Sequence, residues 1–211
     1  SSMFNRAYAF NQDVSAWDVS AVTTMYMMFR EADAFDQNIR GWNVSKEINM
    51  GYMFYSATAM QSTYGGTTGF GFTPNKSWFT PTITGTTVAS DNSTIVVTFS
   101  EAVYNTTGSS GSLEVGDFTL SLSGGVATLS SAAPSSISIV GNVYTLGLSL
   151  SGTPNGSETV TVVPSSSTAI YDSDDNTAST SQSNNTVTLV DSAAPTITGT
   201  TVASDNSTIV V

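Results

Sequence analysis

Residues 81–97, PTITGTTVASDNSTIVV, recur letter for letter as residues 195–211. An identity of 17 residues at an offset of 114 is not coincidence. It implies that residues 81–194 are one unit of a tandem array and that the next unit has begun where the sequence ends. A unit of that length is a domain of ordinary size. Arrays of such units act more often as stalks, spacers or filaments than as catalysts. The last residues read as a strand in mid-course, so the chain end is expected to be a cut.

A second, shorter period runs through the start. Met3-Phe4, Met28-Phe29 and Met53-Phe54 fall 25 residues apart. Ala7, Ala32 and Ala57 keep the same step, as do Phe10, Phe35 and Met60, Trp17 with Trp42, and Met25 with Met50. Val14–Val19 and Ile39–Val44 read as short extended segments. Val22, Met25, Met28, Phe29 and Ala32 have helical spacing, with Ser20 and Ser45 as N-caps. One strand and one helix per unit predicts the end of a leucine-rich-repeat-like α/β solenoid over residues 1–60, with further repeats before Ser1. The third unit loses the pattern after Met60. Residues 61–80, rich in Tyr64, Phe70, Phe72, Trp78 and Phe79, then read as an aromatic cap and linker.

From Pro81 the pattern changes to short alternating runs punctuated by Gly-Gly, Gly-Asn and Asp-Asn. About eight such runs and no helical period predict an all-β immunoglobulin-like sandwich over residues 81–191, followed by a truncated second copy at 192–211. Its expected inward residues are Ile83, Ile95, Val97, Phe99, Phe118, Leu120, Leu146, Leu148, Val160, Val162 and Leu189.

The motifs carry two resemblances. Phe10-Asn-Gln-Asp-Val-Ser-Ala-Trp-Asp-Val-Ser20 and Val22-Thr-Thr-Met-Tyr-Met-Met-Phe29 resemble the BspA-type leucine-rich repeats of bacterial surface proteins and surface lipoproteins. Val97-Thr-Phe-Ser-Glu-Ala-Val103 and Ile170-Tyr-Asp-Ser-Asp-Asp-Asn176 resemble the bacterial Ig-like tandem repeats of large secreted adhesins. These resemblances imply an extracellular, cell-surface protein with a role in adhesion.

Charge divides the chain at the same place. All five basic residues lie within the first 76 positions, which net −1; residues 77–211 carry ten acids and no Lys or Arg, netting −10. Such a surface repels nucleic acid and anionic lipid. No apolar run is long enough to span a membrane. There is no His and no Cys. A serine triad of the usual kind is therefore excluded, as is a thiolate metal site. A paired-carboxylate glycosidase stays formally open through Glu101, Glu114, Asp117 or Glu158, but nothing marks a cleft. Amide cross-links between Lys and Asn, a stiffening device in some surface adhesins, are excluded inside residues 81–191 because that segment has no lysine.

The densest acid cluster is Asp172, Asp174 and Asp175. Without a local cation it calls for a neutralising partner, and Ca²⁺ suits loops of Asp and Asn. Glu101, Asp91 and Asp191 are the candidate co-ligands, with Asp205 in the next unit as a possible junctional ligand. The competing reading is a solvated acidic loop. The spacing is not that of an EF-hand. In the 25-residue units Asn11, Asp13, Asp18, Asp36, Asn38 and Asn43 read as a ladder satisfying turn backbone groups. Trp17 and Trp42 read as stacked core rings ahead of an aromatic surface for sugars or proteins.

The sequence thus predicts a non-enzymatic structural stalk or fibre segment whose partners are neighbouring repeats of the same chain. The alternatives are an adhesin module binding a surface protein or glycan through the solenoid face, and a subunit of a self-assembling filament in which copies of the chain pair.

Overall fold

In a computed structural model of the chain, the described residues are 2–44, 48–195, 199–202, 204 and 207–210. The predicted helices at residues 22–32 do not form, and the expected leucine-rich-repeat-like α/β solenoid is corrected accordingly. Among the described residues the one α-helix is α1, Thr58–Tyr64, in the third unit. Ser20 caps no helix, and Ser45 lies outside the described residues. Nor do Val14–Val19 and Ile39–Val44 form strands.

The hydrogen bonds of the main chain supply the reason. The amides of Ser2, Phe4 and Arg6 donate to the carbonyls of Tyr26, Met28 and Arg30, each 24 residues on. Those of Met25, Met27, Phe29 and Glu31 donate likewise to Asn49, Gly51, Met53 and Tyr55. The amides between them close tight turns, Met28 to Met25, Arg30 to Met27 and Ala32 to Phe29. A backbone N–H committed to the neighbouring turn cannot also bond four residues back, so no α-helix is possible there. The turns place a left-handed residue at matching positions of each unit: Ser2, Met27 and Tyr52, then Arg6, Glu31 and Ser56, all with φ between 54° and 60°. Each such residue costs about 1–2 kcal/mol, and the ladder of inter-turn bonds offsets that cost.

The spacing that mimics a helix instead aims the large residues of every turn into one core. Phe29 stacks on Phe4 (ring centroids 5.3 Å apart) and on Phe54 (6.0 Å), and lies 4.0 Å from Phe35. Trp42 is buried and donates through Nε1 to the Val14 carbonyl, 3.0 Å. Trp17 is exposed at 41% and only tilts against Phe4. Residues 61–79 close the stack. Phe54 meets Phe70 at 5.5 Å and Trp78 at 5.3 Å, and the Phe54 amide, which faces the open end, donates to the Phe72 carbonyl.

Residues 83–189 form antiparallel strands around a separate core, so the β half of the expectation fits in part. β1 (Ile83–Val88), β2 (Thr94–Phe99), β5 (Ile137–Val140) and β6 (Val143–Gly147) make one sheet in the order β1-β2-β6-β5. β3 (Phe118–Ser123), β8 (Thr159–Pro164) and β9 (Thr186–Thr188) make a second, and β4 (Thr128–Leu129) pairs with β7 (Leu150–Ser151). Alternation decides the faces: in β2, Ile95, Val97 and Phe99 are buried, and in β8, Val160, Val162 and Pro164. All eleven residues expected to point inward are buried in this one core. At the far end β10 (Thr201–Val202) pairs with β11 (Ile209–Val210).

Candidate functional site

The acid loop is built from its own backbone. Tyr171 bridges Tyr104 on one side and Thr177 on the other, and the Asp172 amide donates to the Asn176 carbonyl, 2.9 Å. Asp172 is buried. Its Oδ1 accepts from the amides of Asp174 (2.8 Å) and Asn176 (2.9 Å), and its Oδ2 from Asn176 Nδ2 (2.9 Å). A buried carboxylate must be satisfied by donors, and the loop itself provides them. Asp175 takes up a left-handed conformation, φ 64°, and its Oδ1 accepts from the Gly108 amide, 2.6 Å. Ser109 Oγ donates to the Ser173 carbonyl, so residues 108–109 and 173–175 hold one another.

Asp174 turns the other way and pairs with Lys76 through Oδ2. Lys76 opens a short 3-10 turn, Lys76–Trp78, capped by Asn75, whose Oδ1 accepts from the Ser77 amide at 3.0 Å. Fully buried Trp78 anchors that turn in the aromatic cap. Lys76, at the edge of the first core, thus reaches the acid loop of the second, 98 residues away.

Glu101 follows β2 and lines the same small cleft as Lys76, Asp172, Asp174 and Asn176. Trp42, Val44 and Phe79 form its apolar wall. Burial pushes the Glu101 carboxyl up to about 8, the Asp172 and Asp174 charges push the same way, and Lys76 opposes them. Glu101 therefore carries its proton at neutral pH. The cleft gathers a primary amine, a carboxylate and a carboxylic acid beside apolar walls.

Asp91 and Asp191 stand elsewhere. Asp91 and Glu101 flank the six-residue strand β2, which separates them by roughly 20 Å. Asp91 Oδ1 accepts from the Ser93 amide, 3.0 Å, and bonds to Ser93 lower its pKa. Asp191 Oδ1 accepts from the Ala193 amide, 2.9 Å. Asp205 lies outside the described residues. Of the proposed Ca²⁺ ligands, then, Glu101, Asp172 and Asp174 share one cleft, Asp175 is engaged by Gly108, and Asp91 and Asp191 lie at the other end of β2. Among the described residues no three acids are grouped so as to hold a metal ion.

Several other polar side chains accept from backbone amides, while Glu31 pairs with Arg6 and Arg30. Asp13 and Asp18 accept from the amides of Ser15 and Ser20, and Asn38 from that of Arg40. Asn11 Oδ1 accepts from the Asp36 amide, 2.9 Å, across one repeat. Glu114 and Asp117 cap a 3-10 turn. Glu158, fully buried, accepts from the amides of Val126 (2.8 Å), Ala127 (3.0 Å) and Asn155 (3.0 Å), which hold its pKa down to about 2. Neither Lys76 nor the buried staple made by Glu158 stood out in the sequence. Lys76 was legible only as the last cation before an all-acidic segment, and Glu158 only as one of four acids weighed for a paired-carboxylate site.

One exposed surface also emerges. Tyr26, Tyr52, Tyr55 and Phe72 form a continuous row, with ring centroids 6.1, 6.0 and 5.6 Å apart in that order, and the Arg30 guanidinium lies over Tyr55. Among the described residues no helix is long and apolar enough to cross a membrane.

Residues 1–69 match the family described as Mycoplasma protein of unknown function, DUF285. The match covers the stacked turns and the first part of the aromatic cap, and stops short of the β-sheets. No curated protein and no solved structure matches the chain.

Proposed function

We propose that this chain is a non-enzymatic stalk segment of an extracellular, cell-surface adhesion protein, in which stacked turns are joined to tandem β-modules. The supporting observation is the inter-turn ladder. Seven main-chain bonds at a constant spacing of 24 residues run from turn to turn, and the Phe54–Phe72 contact passes the stack to a cap that meets the β-module through Lys76 and Asp174. The 25-residue units touch their neighbours in chain order, as a rod of stacked units requires. The repeat of residues 81–97 as residues 195–211 supports continuation of the module. The test is small-angle scattering on chains carrying one, two and three copies of residues 81–194. A maximum dimension growing by a constant increment per copy supports a stalk; compaction with added copies refutes it.

The exposed aromatic row favours a second reading, a binding face for a glycan. Tyr rings about 6 Å apart, set edge to face and open to solvent, offer apolar faces and hydroxyls to a sugar. A glycan array with wild type and Tyr52→Ala separates the two, since only the binding reading expects signal that the substitution removes.

A further inference from the structure

The sequence contains two lysines, Lys46 and Lys76. Lys76 Nζ stands against Asp174 Oδ2, and the two side chains are only 23% and 24% exposed. Trp42, Val44 and Phe79 shield the pair, and Glu101 lines the same cleft as a neutral acid. Long, flexible ion-paired side chains are ordinarily found at the surface in water. Here a nucleophile, an electrophile and a proton donor are held together with water partly excluded, the combination that general acid–base catalysis needs.

We propose that Lys76 and Asp174 condense to an amide, with Glu101 as the proton-transfer group, so that a covalent bond ties the aromatic cap to the β-module. The reactive form is amine plus carboxylic acid, one proton transfer from the ion pair. The Nζ lone pair adds to Asp174 Cγ and forms the C–N bond. The Glu101 acid gives its proton to the departing hydroxyl, and its carboxylate takes one from the nitrogen. The C–O bond breaks, one water leaves, and Glu101 ends as it began. No oxidant or cofactor enters. Holding two reacting groups in place is worth an effective concentration of roughly 10⁵–10⁸ M, which favours an amide that free amine and acid would not form in water. Asp172, accepting from the Asp174 amide, keeps the loop in position. The bond depends only on this cleft and is expected whether or not the chain serves as a stalk.

Intact-mass measurement on the folded chain after incubation at neutral pH tests it. The expected result is a mass lower by one water, no tryptic cleavage after Lys76, and a tryptic peptide of residues 47–211 that is lighter by one water and stays joined between Lys76 and Asp174 when a second protease cuts between them. Lys76→Arg, which keeps the charge, and Asp174→Ala keep the full mass. Glu101→Gln keeps it or gains the bond far more slowly. Full mass with cleavage after Lys76 in folded wild type overturns the proposal. So does a water loss that persists in Lys76→Arg, or a linkage at Lys46. Bond formation at the wild-type rate in Glu101→Gln overturns the role of Glu101. If a variant fails to fold by near-ultraviolet circular dichroism, the wild-type mass and fragment map decide.

Discussion

Asn92 and Val190 exchange two hydrogen bonds: Asn92 Nδ2 donates to the Val190 carbonyl and Asn92 Oδ1 accepts from the Val190 amide, both at 2.8 Å. The first turn of the module thus grips the segment that leaves it, 98 residues later. Asn92 is buried and left-handed, φ 58°, a conformation Asn tolerates better than most residues. Asn92→Ala is expected to lower stability by roughly 2–4 kcal/mol through the lost bonds and the orphaned Val190 groups. Denaturant titration reads the loss. Asn92→Asp keeps the acceptor and loses the donor, so it destabilises as well and shows that the Val190 carbonyl needs its partner.

Glu158 predicts an acid limb. Its pKa is held down to about 2 from 4.5, chiefly by the Ala127 amide. A depressed acid contributes stability that is fully present above pH 4.5 and is lost as pH falls through about 2. Stability curves of wild type and Glu158→Gln are expected to converge across that window, with the variant less stable at neutral pH. Parallel curves there contradict the assignment.

Glu101 predicts the opposite slope. Its pKa is raised from 4.5 to about 8, first by burial and then by Asp172 and Asp174. Between those values the folded state binds more protons than the unfolded one, so the Glu101 contribution weakens stability as pH rises from 4.5 to 8. Subtracting the Glu101→Gln curve from wild type isolates this slope. A flat difference means that the carboxyl is ionised at neutral pH.

Chelation tests the acid loop. Asp172 is saturated by its own loop, Asp175 by Gly108, and Asp174 faces Lys76. The expected outcome is a melting temperature unchanged by EGTA. A rise on adding Ca²⁺ restores the cation as the partner of Asp172, Asp174 and Asp175.

Ser56 tests the cost of the left-handed turns. It has φ 56°. Ser56→Gly is expected to hold stability or raise it by up to about 1 kcal/mol, whereas Ser56→Val lowers it by about 1–2 kcal/mol, since a β-branched residue resists this conformation. Thermal unfolding of the two variants reads the contrast.

Most strands of the β-module were legible as runs, although the run from Val143 to Leu150 splits into β6 and β7 in different sheets. The β-branched run Thr94–Phe99 became β2 with those bounds, and burial alternates along it. Period-two alternation has one structural meaning when turn residues bracket it. Val22, Met25, Met28, Phe29 and Ala32 were misread as a helix. Steps of three and four also fit a succession of tight turns, and side-chain spacing alone does not reveal whether an amide bonds within its segment or to the next turn. Of the acids, the sequence placed three in the same loop but could not show that Glu101 joins two of them while Asp91 and Asp191 stand apart.

The sequence by itself determined both repeat periods, the change of material after Lys76, and which β residues face inward, because each is a property of neighbours along the chain. Tertiary structure decided where the amides of the 25-residue units bond and which cation meets the acid loop. Those outcomes depend on groups 24 and 98 residues apart. Only the folded backbone brings such groups within the short reach of a hydrogen bond or a reacting pair.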